Sequence, residues 1–284
     1  MKTANLIAAL VALGFGCQNL CAQVTVTVRN SQGMGVRYDF ATGAASQSGN
    51  TDPWKAYARN AAGTNYPATS GAVGKIWLQF DLGGVWQSYG KDNLLEAYLV
   101  LWGENGPGRQ FDVSGLRDDA GLENWDAATL SWANAPANDP LGGYHLDWSK
   151  IYGGGPLWQM RSPNTGVDLA PPSGHPLYGN STYDQCARYT SPEISAFLKT
   201  DTDGKVTFIL TGSPINNNQN WWIGPAGSYD TGYPYRVPDP YTGDVMRDSP
   251  TLSLTFVPEP SSIALAGLGL IGVVLLLRRT ARPE

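Results

Sequence analysis

The chain has 284 residues with a net charge of −5, and its 34 Gly, 20 Pro, 10 Trp and 14 Tyr exclude a long helical bundle in favour of strands joined by many turns. A hydrophobic fraction of 42% excludes disorder, and the absence of any Lys/Arg cluster in residues 23–257 argues against nucleic acid as a partner. Of three cysteines, Cys17 and Cys21 fall in an apolar leader, so Cys186 alone supports neither a disulfide framework nor a structural zinc site.

Lys2, the apolar run Leu6–Phe15 and Leu20-Cys21-Ala22 before Gln23 have the layout of a secretory signal peptide at 1–22, cut after Ala22 by a signal peptidase. Period-two alternation then predicts strands. Val24, Val26 and Val28 oppose Thr25, Thr27 and Arg29; further strands are expected at 36–40, 75–81, 94–102 and 109–116. The 94–102 run is apolar on both faces and reads as a central strand. Residues 137–190 form a long insertion, too long for an idle connector. Pro192–Lys199 is the one predicted helix, with Ser191 to cap it, Pro192 in its first turn, and Ile194, Phe197 and Leu198 on one face. Val206, Phe208 and Leu210 oppose Lys205, Thr207 and Ile209, and Leu252, Leu254 and Phe256 oppose Thr251, Ser253 and Thr255, as in half-buried strands. The pattern predicts an all-β fold, a jelly-roll-like antiparallel β-sandwich with long loops over residues 23–257.

After Val257 the chain reads Pro258-Glu259-Pro260, then the apolar run Ile263–Leu277, then Arg278, Arg279 and Arg282. At about 1.5 Å per residue a helix over 263–277 spans roughly 22 Å, so flanking serines and snorkelling arginines must help it cross a bilayer. The terminal arginines put residues 23–257 outside the cytoplasm.

This three-part ending, residues 258–284, resembles the PEP-CTERM protein-sorting signal. The resemblance implies an exosortase-type membrane protease as partner, with Pro258, Glu259 and Pro260 as the sorting and cleavage motif and Arg278, Arg279 and Arg282 as the basic membrane-end cluster. It also implies export across the inner membrane of a Gram-negative bacterium, transient or lasting membrane anchoring, and delivery to the cell surface or exopolysaccharide matrix.

A second resemblance covers residues 36–257. Lys75-Ile76-Trp77-Leu78-Gln79-Phe80-Asp81-Leu82, then Leu95–Leu101, then Trp125-Asp126-Ala127-Ala128-Thr129-Leu130-Ser131-Trp132-Ala133-Asn134-Ala135-Pro136, a short helix and two closing strands look like the DNRLRE family of extracellular β-sandwich modules. Some members are carbohydrate-binding modules, which implies an extracellular polysaccharide as ligand.

The residues that could carry chemistry agree with a binding role. Asn220 beside Trp221 and Trp222, followed by Tyr233 and Tyr235, offers flat rings for the C–H face of a sugar and amides for its hydroxyls. In a strand the two Trp rings point to opposite faces. Trp125 and Trp132 are expected in the core. No Ser-His elbow, His-Glu-x-x-His helix or phosphate loop is present, and the histidines are only His145 and His175. The expectation is therefore no catalytic residue and no cofactor beyond structural Ca²⁺, for which Asp201 and Asp203, or Asp118 and Asp119 with Asp126, are candidate ligands. Two alternatives stand beside the binding protein. One is a polysaccharide hydrolase or lyase using carboxylates such as Glu96, Glu104 and Glu123; the other is a purely structural or adhesive surface protein.

Overall fold

Alternating apolar positions become strand pairing along most of the exported segment. The computed structural model describes residues 23–48, 55–60, 62, 65–103, 111–119, 121–159, 185–189, 192–212, 218–222 and 250–257. In these the strands are β1 (Val24–Asp39), β2 (Ala44–Ser48), β3 (Lys55–Asn60), β4 (Ala72–Asp81), β5 (Leu94–Gly103), β6 (Phe111–Gly115), β7 (Trp158–Gln159), β8 (Gln185–Tyr189), β9 (Lys205–Gly212), β10 (Asn218–Trp222) and β11 (Thr251–Phe256). Two α-helices accompany them, α1 (Gly83–Tyr89) and α2 (Pro192–Thr200).

All the pairings are antiparallel, and the order runs β2-β1-β11-β5-β10-β3-β4-β9-β6-β7, with β8 beside β5. The sequence suggests separate strands at 24–29 and 36–40, but both belong to β1. Its first part, Val24–Arg29, pairs with β11; a register shift between Asn30 and Gln32 then turns it so that Asn30–Asp39 pairs with β4. The pairings thereby close a circuit through β1, β11, β5, β10, β3 and β4. As the apolar run predicts, β5 has neighbours on both sides, β11 and β8, although Leu95 and Glu96 on it remain exposed.

One hydrophobic core takes Ile76, Leu78 and Phe80 from β4, Val206, Phe208 and Leu210 from β9, Leu252, Leu254 and Phe256 from β11, and Ile194, Phe197 and Leu198 from α2. Each large side chain so buried contributes about 1.5–3 kcal/mol. α2 forms where the sequence predicts it and buries the three residues expected. α1 is a helix that the pattern does not announce, because it opens on two glycines. It is held by Val85, Trp86 and Tyr89 against the same core, with Tyr89 stacked on Phe256 at 5.1 Å.

β9 departs from the half-buried expectation. Thr207, Ile209 and Thr211, on its supposed outer face, are as buried as its inner face. The cause is a second core, in which Val36, Val73, Trp77 and Ile209 pack under Leu130, Trp132, Ala135, Ala137, Leu146 and Ile151. The segment between β6 and β7 thus forms a cap over β1, β4 and β9. The first third of the predicted 137–190 insertion is part of this cap, and its end supplies β8; residues 160–184 lie outside the described set. Trp132 is in this core as expected, and Trp125 is half-buried against it.

Residues 1–22, Ser191 and residues 263–277, where the sequence predicts a signal peptide, a helix cap and a membrane helix, also lie outside the described residues. Among the described residues no helix is long and apolar enough to cross a membrane.

Gly115, at the end of β6, lies against the Phe197 ring so closely that a Cβ would sit 2.7 Å from it. Gly115→Ala should therefore destabilise the fold by about 1–3 kcal/mol through overpacking, measured by urea denaturation, and Phe197→Leu in the same chain should restore part of the loss.

Candidate functional site

Three residues of β4 alternate on its outer face: Lys75, Trp77 and Gln79. All three are buried, and each sends a donor into the cap. The Lys75 Nζ donates to Asn138 Oδ1 at 2.7 Å and meets the carbonyls of Asp139, Gly142 and His145, while lying 4.6 Å from the centroid of the Trp132 ring. The Trp77 indole N–H donates to the Pro136 carbonyl at 3.0 Å. Gln79 Nε2 donates to the Glu123 carbonyl at 2.6 Å.

Neighbouring strands add to the row. Gln32 of β1 donates to Gln79 Oε1 and to the Trp125 carbonyl and accepts from the Ala127 N–H. Gln47 of β2 donates to the carbonyls of Ala127, Ala128 and Leu130. Thr207 of β9 accepts from the Trp125 indole at 3.1 Å. The cap has little regular structure of its own; turn bonds within it satisfy part of its backbone, and side chains of the sheet beneath take up a further set of its carbonyls. Burial pulls the Lys75 ammonium down to about 7, against the charge of Asp139, which raises it.

On its outer side the cap carries a cleft of about 490 Å³. Asn124, Trp125, Asp126, Thr129, Asn134 and Lys150 line it. Asn134 is occupied in holding its own loop, accepting from Ser131 N–H and donating to the Thr129 carbonyl. Asn124, Asp126 and Thr129 are exposed, and Trp125 is half-buried. Such a lining combines an aromatic surface with amide, hydroxyl and carboxylate groups, the chemistry that polyhydroxylated ligands require.

At one end of the cap lies a cluster of carboxylates. Asp118, Glu123 and Asp203 each bring an oxygen within 4.8 Å of the others. Thr202 donates to Asp118 Oδ2 from both its N–H and its hydroxyl, each at 2.6 Å. Burial raises the Glu123 carboxyl to about 8, and the charges of Asp203, Asp118 and Asp201 push the same way; the Thr207 hydroxyl opposes them. Neither Glu123 oxygen has a hydrogen-bond partner of ordinary geometry.

The two sequence-derived calcium pairs are thus regrouped. Asp118 and Asp203 meet, but Asp201 turns inward, accepting from the Trp86 indole and from the N–H groups of Asp203 and Gly204. Asp119 pairs with Arg117 at 3.5 Å on the surface, and Asp126 caps its own turn through the Ala128 N–H. Among the glutamates, Glu96 is exposed and accepts from the Tyr98 hydroxyl, and Glu193 is exposed in the first turn of α2. Glu104 lies outside the described residues.

Asn220, Trp221 and Trp222 fall in β10, opposite Tyr57, Ala56 and Lys55 of β3, with their side chains outside the described set. Tyr233, Tyr235, Pro258, Glu259, Pro260, Arg278, Arg279, Arg282 and His175 lie outside it altogether. Lys75, Gln79, Gln32 and Gln47 carry the cap but do not stand out in the sequence. One signal was present: Trp77 lies between Lys75 and Gln79 in the same row, and a solvent-facing row rarely holds a Trp.

Residues 256–279 match the PEP-CTERM protein-sorting motif. The match begins at the last residue of β11, so a single residue, Val257, separates that strand from Pro258. The motif marks an exported protein handled at the membrane by an exosortase. No curated protein matches the chain.

Lys75→Met should leave several buried oxygens without a donor and cost about 3 kcal/mol or more, with protease cleavage appearing first within residues 130–147. The unfolded lysine keeps its proton up to about 10.5 and the folded one only up to about 7. At Lys75 the unfolded state therefore binds more protons in that window, which raises stability with pH; the Glu123 carboxyl, held at about 8, works the other way up to that pH, so wild-type stability rises from about 8 upward. Urea titrations at points between about 8 and 10.5 check the rise, which should be smaller in Lys75→Met.

Proposed function

We propose that the chain is an exosortase-sorted surface or matrix protein of a Gram-negative bacterium whose β domain, a jelly-roll-like sandwich, binds extracellular polysaccharide without cleaving it. The observation that carries this reading is a PEP-CTERM signal joined directly to a β domain that bears a polar, Trp-containing cleft. The signal supports delivery to the envelope, where polysaccharide is the abundant ligand. The cleft supports binding, because its volume lies within the range of about 300–1,000 Å³ typical of small-ligand sites and would take one or two sugar rings. Two cores on opposite faces of β4 and β9, and the closed circuit of pairings, support the layered fold.

One observation favours a hydrolase as the second reading. Asp118 and Glu123 lie within 4.8 Å, near the about 5–5.5 Å of retaining carboxylate pairs. The burial of both Glu123 oxygens counts against it, since a general acid must touch the glycosidic oxygen it protonates.

Affinity electrophoresis of the protein recovered from the cell surface, in gels containing the host's own exopolysaccharide, tests the proposal. Retardation without release of reducing ends supports it, and Asn124→Ala and Lys150→Ala should each weaken retention by about three- to tenfold. Reducing-end release would select the hydrolase. Loss of biofilm cohesion on gene deletion with no retardation would select a purely adhesive protein.

A further inference from the structure

We propose that Asp118, Glu123 and Asp203 form a binding site for one hard divalent cation, Ca²⁺ being the ion that suits it, and that this ion clamps the cap to the turn before β9. The geometry is of the right size. Calcium holds oxygens at about 2.3–2.6 Å, so two ligands of one ion can be up to about 5 Å apart. The three carboxylates bring their oxygens within 4.8 Å of one another.

The burial of Glu123 points to the same ligand by a separate route. It is only 4% exposed, and both carboxylate oxygens are shielded from solvent without a hydrogen-bond partner of ordinary geometry, the nearby Thr207 hydroxyl included. A carboxylate in that position is costly unless paired or bound to a metal. Among the described residues no ion pair reaches Asp118, Glu123 or Asp203; the ion pairs there are Arg117 with Asp119 and Lys150 with Asp147.

The ligands are also held in place by other bonds. The Glu123 backbone is tied to Gln79, Asp118 to Thr202, and Asp203 Oδ1 to the N–H of Lys205. Two segments far apart in sequence therefore meet at this point. The turn at 201–204 reaches further, since Gly204 O accepts from Leu82 N–H, Asp201 O accepts from Lys91, and Trp86 donates to Asp201. A cation here would join the cap, α1 and β9. Asp203 is exposed, so the ion has a path from solvent, and calcium's tolerance of irregular coordination and added waters suits a site open on one side.

The test uses the full-length chain in detergent, stripped with EDTA and titrated calorimetrically with CaCl₂ alone up to about 10 mM, above the about 0.1–1 mM affinity of extracellular calcium modules. Binding of one Ca²⁺ per chain is expected, with a melting temperature raised by about 5 °C or more. MgCl₂ at equal concentration should give a smaller rise. Glu123→Gln and Asp203→Asn should each weaken Ca²⁺ binding about tenfold or more. Asp203 is on the surface, so its variant reports on the site even if the Glu123 variant folds poorly. No binding heat and no melting shift in the wild type, or an unchanged response in Asp203→Asn, would overturn the proposal. Polysaccharide retention plays no part in this readout, so either result leaves the reading of the cleft to its own assay.

Discussion

The burial of the Lys75 amine is the constraint on which the outer half of this domain depends. A lysine in the middle of a strand is ordinarily solvated, and enclosing it requires acceptors from every side. The cap supplies them by curling its backbone so that three carbonyls and the Asn138 amide oxygen converge on Nζ, with the Trp132 face completing the shell. Asn138 in turn donates to the Trp132 carbonyl, and Tyr38 stacks on Trp132 at 5.4 Å. Lysine, amide and rings fix one another, and the loop gains a single conformation with an isolated antiparallel bridge, Asn138 to Leu146, closing it.

The same principle extends along β4. Gln79 and Trp77 bond to cap carbonyls as Lys75 does, so the cap is stitched at intervals of two residues, the spacing that a pleated strand imposes. The two ends of the row differ in charge. Lys75 is met by neutral oxygens, whereas Gln79 leads to the anionic cluster around Glu123. One end is complete within the protein; the other has negative charge in excess.

This division places the surfaces open to partners. The stitched face of the cap looks toward the sheet, so the opposite face, with Asn124, Asp126 and Thr129, is exposed at the cleft. The sorting motif leaves from a different place. β11 lies between β1 and β5, and Val257 still donates to the Asn93 carbonyl before Pro258 begins the signal. The ordered domain therefore continues up to the sorting motif, with its last strand held by neighbours on both sides.

Local pattern alone determined the strands with clean alternation, the helix at Pro192 with its three apolar contacts, and the address at the C-terminus, because each is written in residues adjacent in sequence. It also brought Asp118 and Asp203 forward as candidate oxygen ligands, though in two separate pairs. Only the tertiary structure decided that Thr207 and Ile209 are buried, that Lys75 and Gln79 face a cap instead of water, and that Glu123 joins Asp118 and Asp203. Period two says that side chains alternate; it does not say what covers the second face. That depends on a segment some 60 residues further on, whose fold is set by contacts with the sheet and not by its own propensities, and such contacts have no local signature to read.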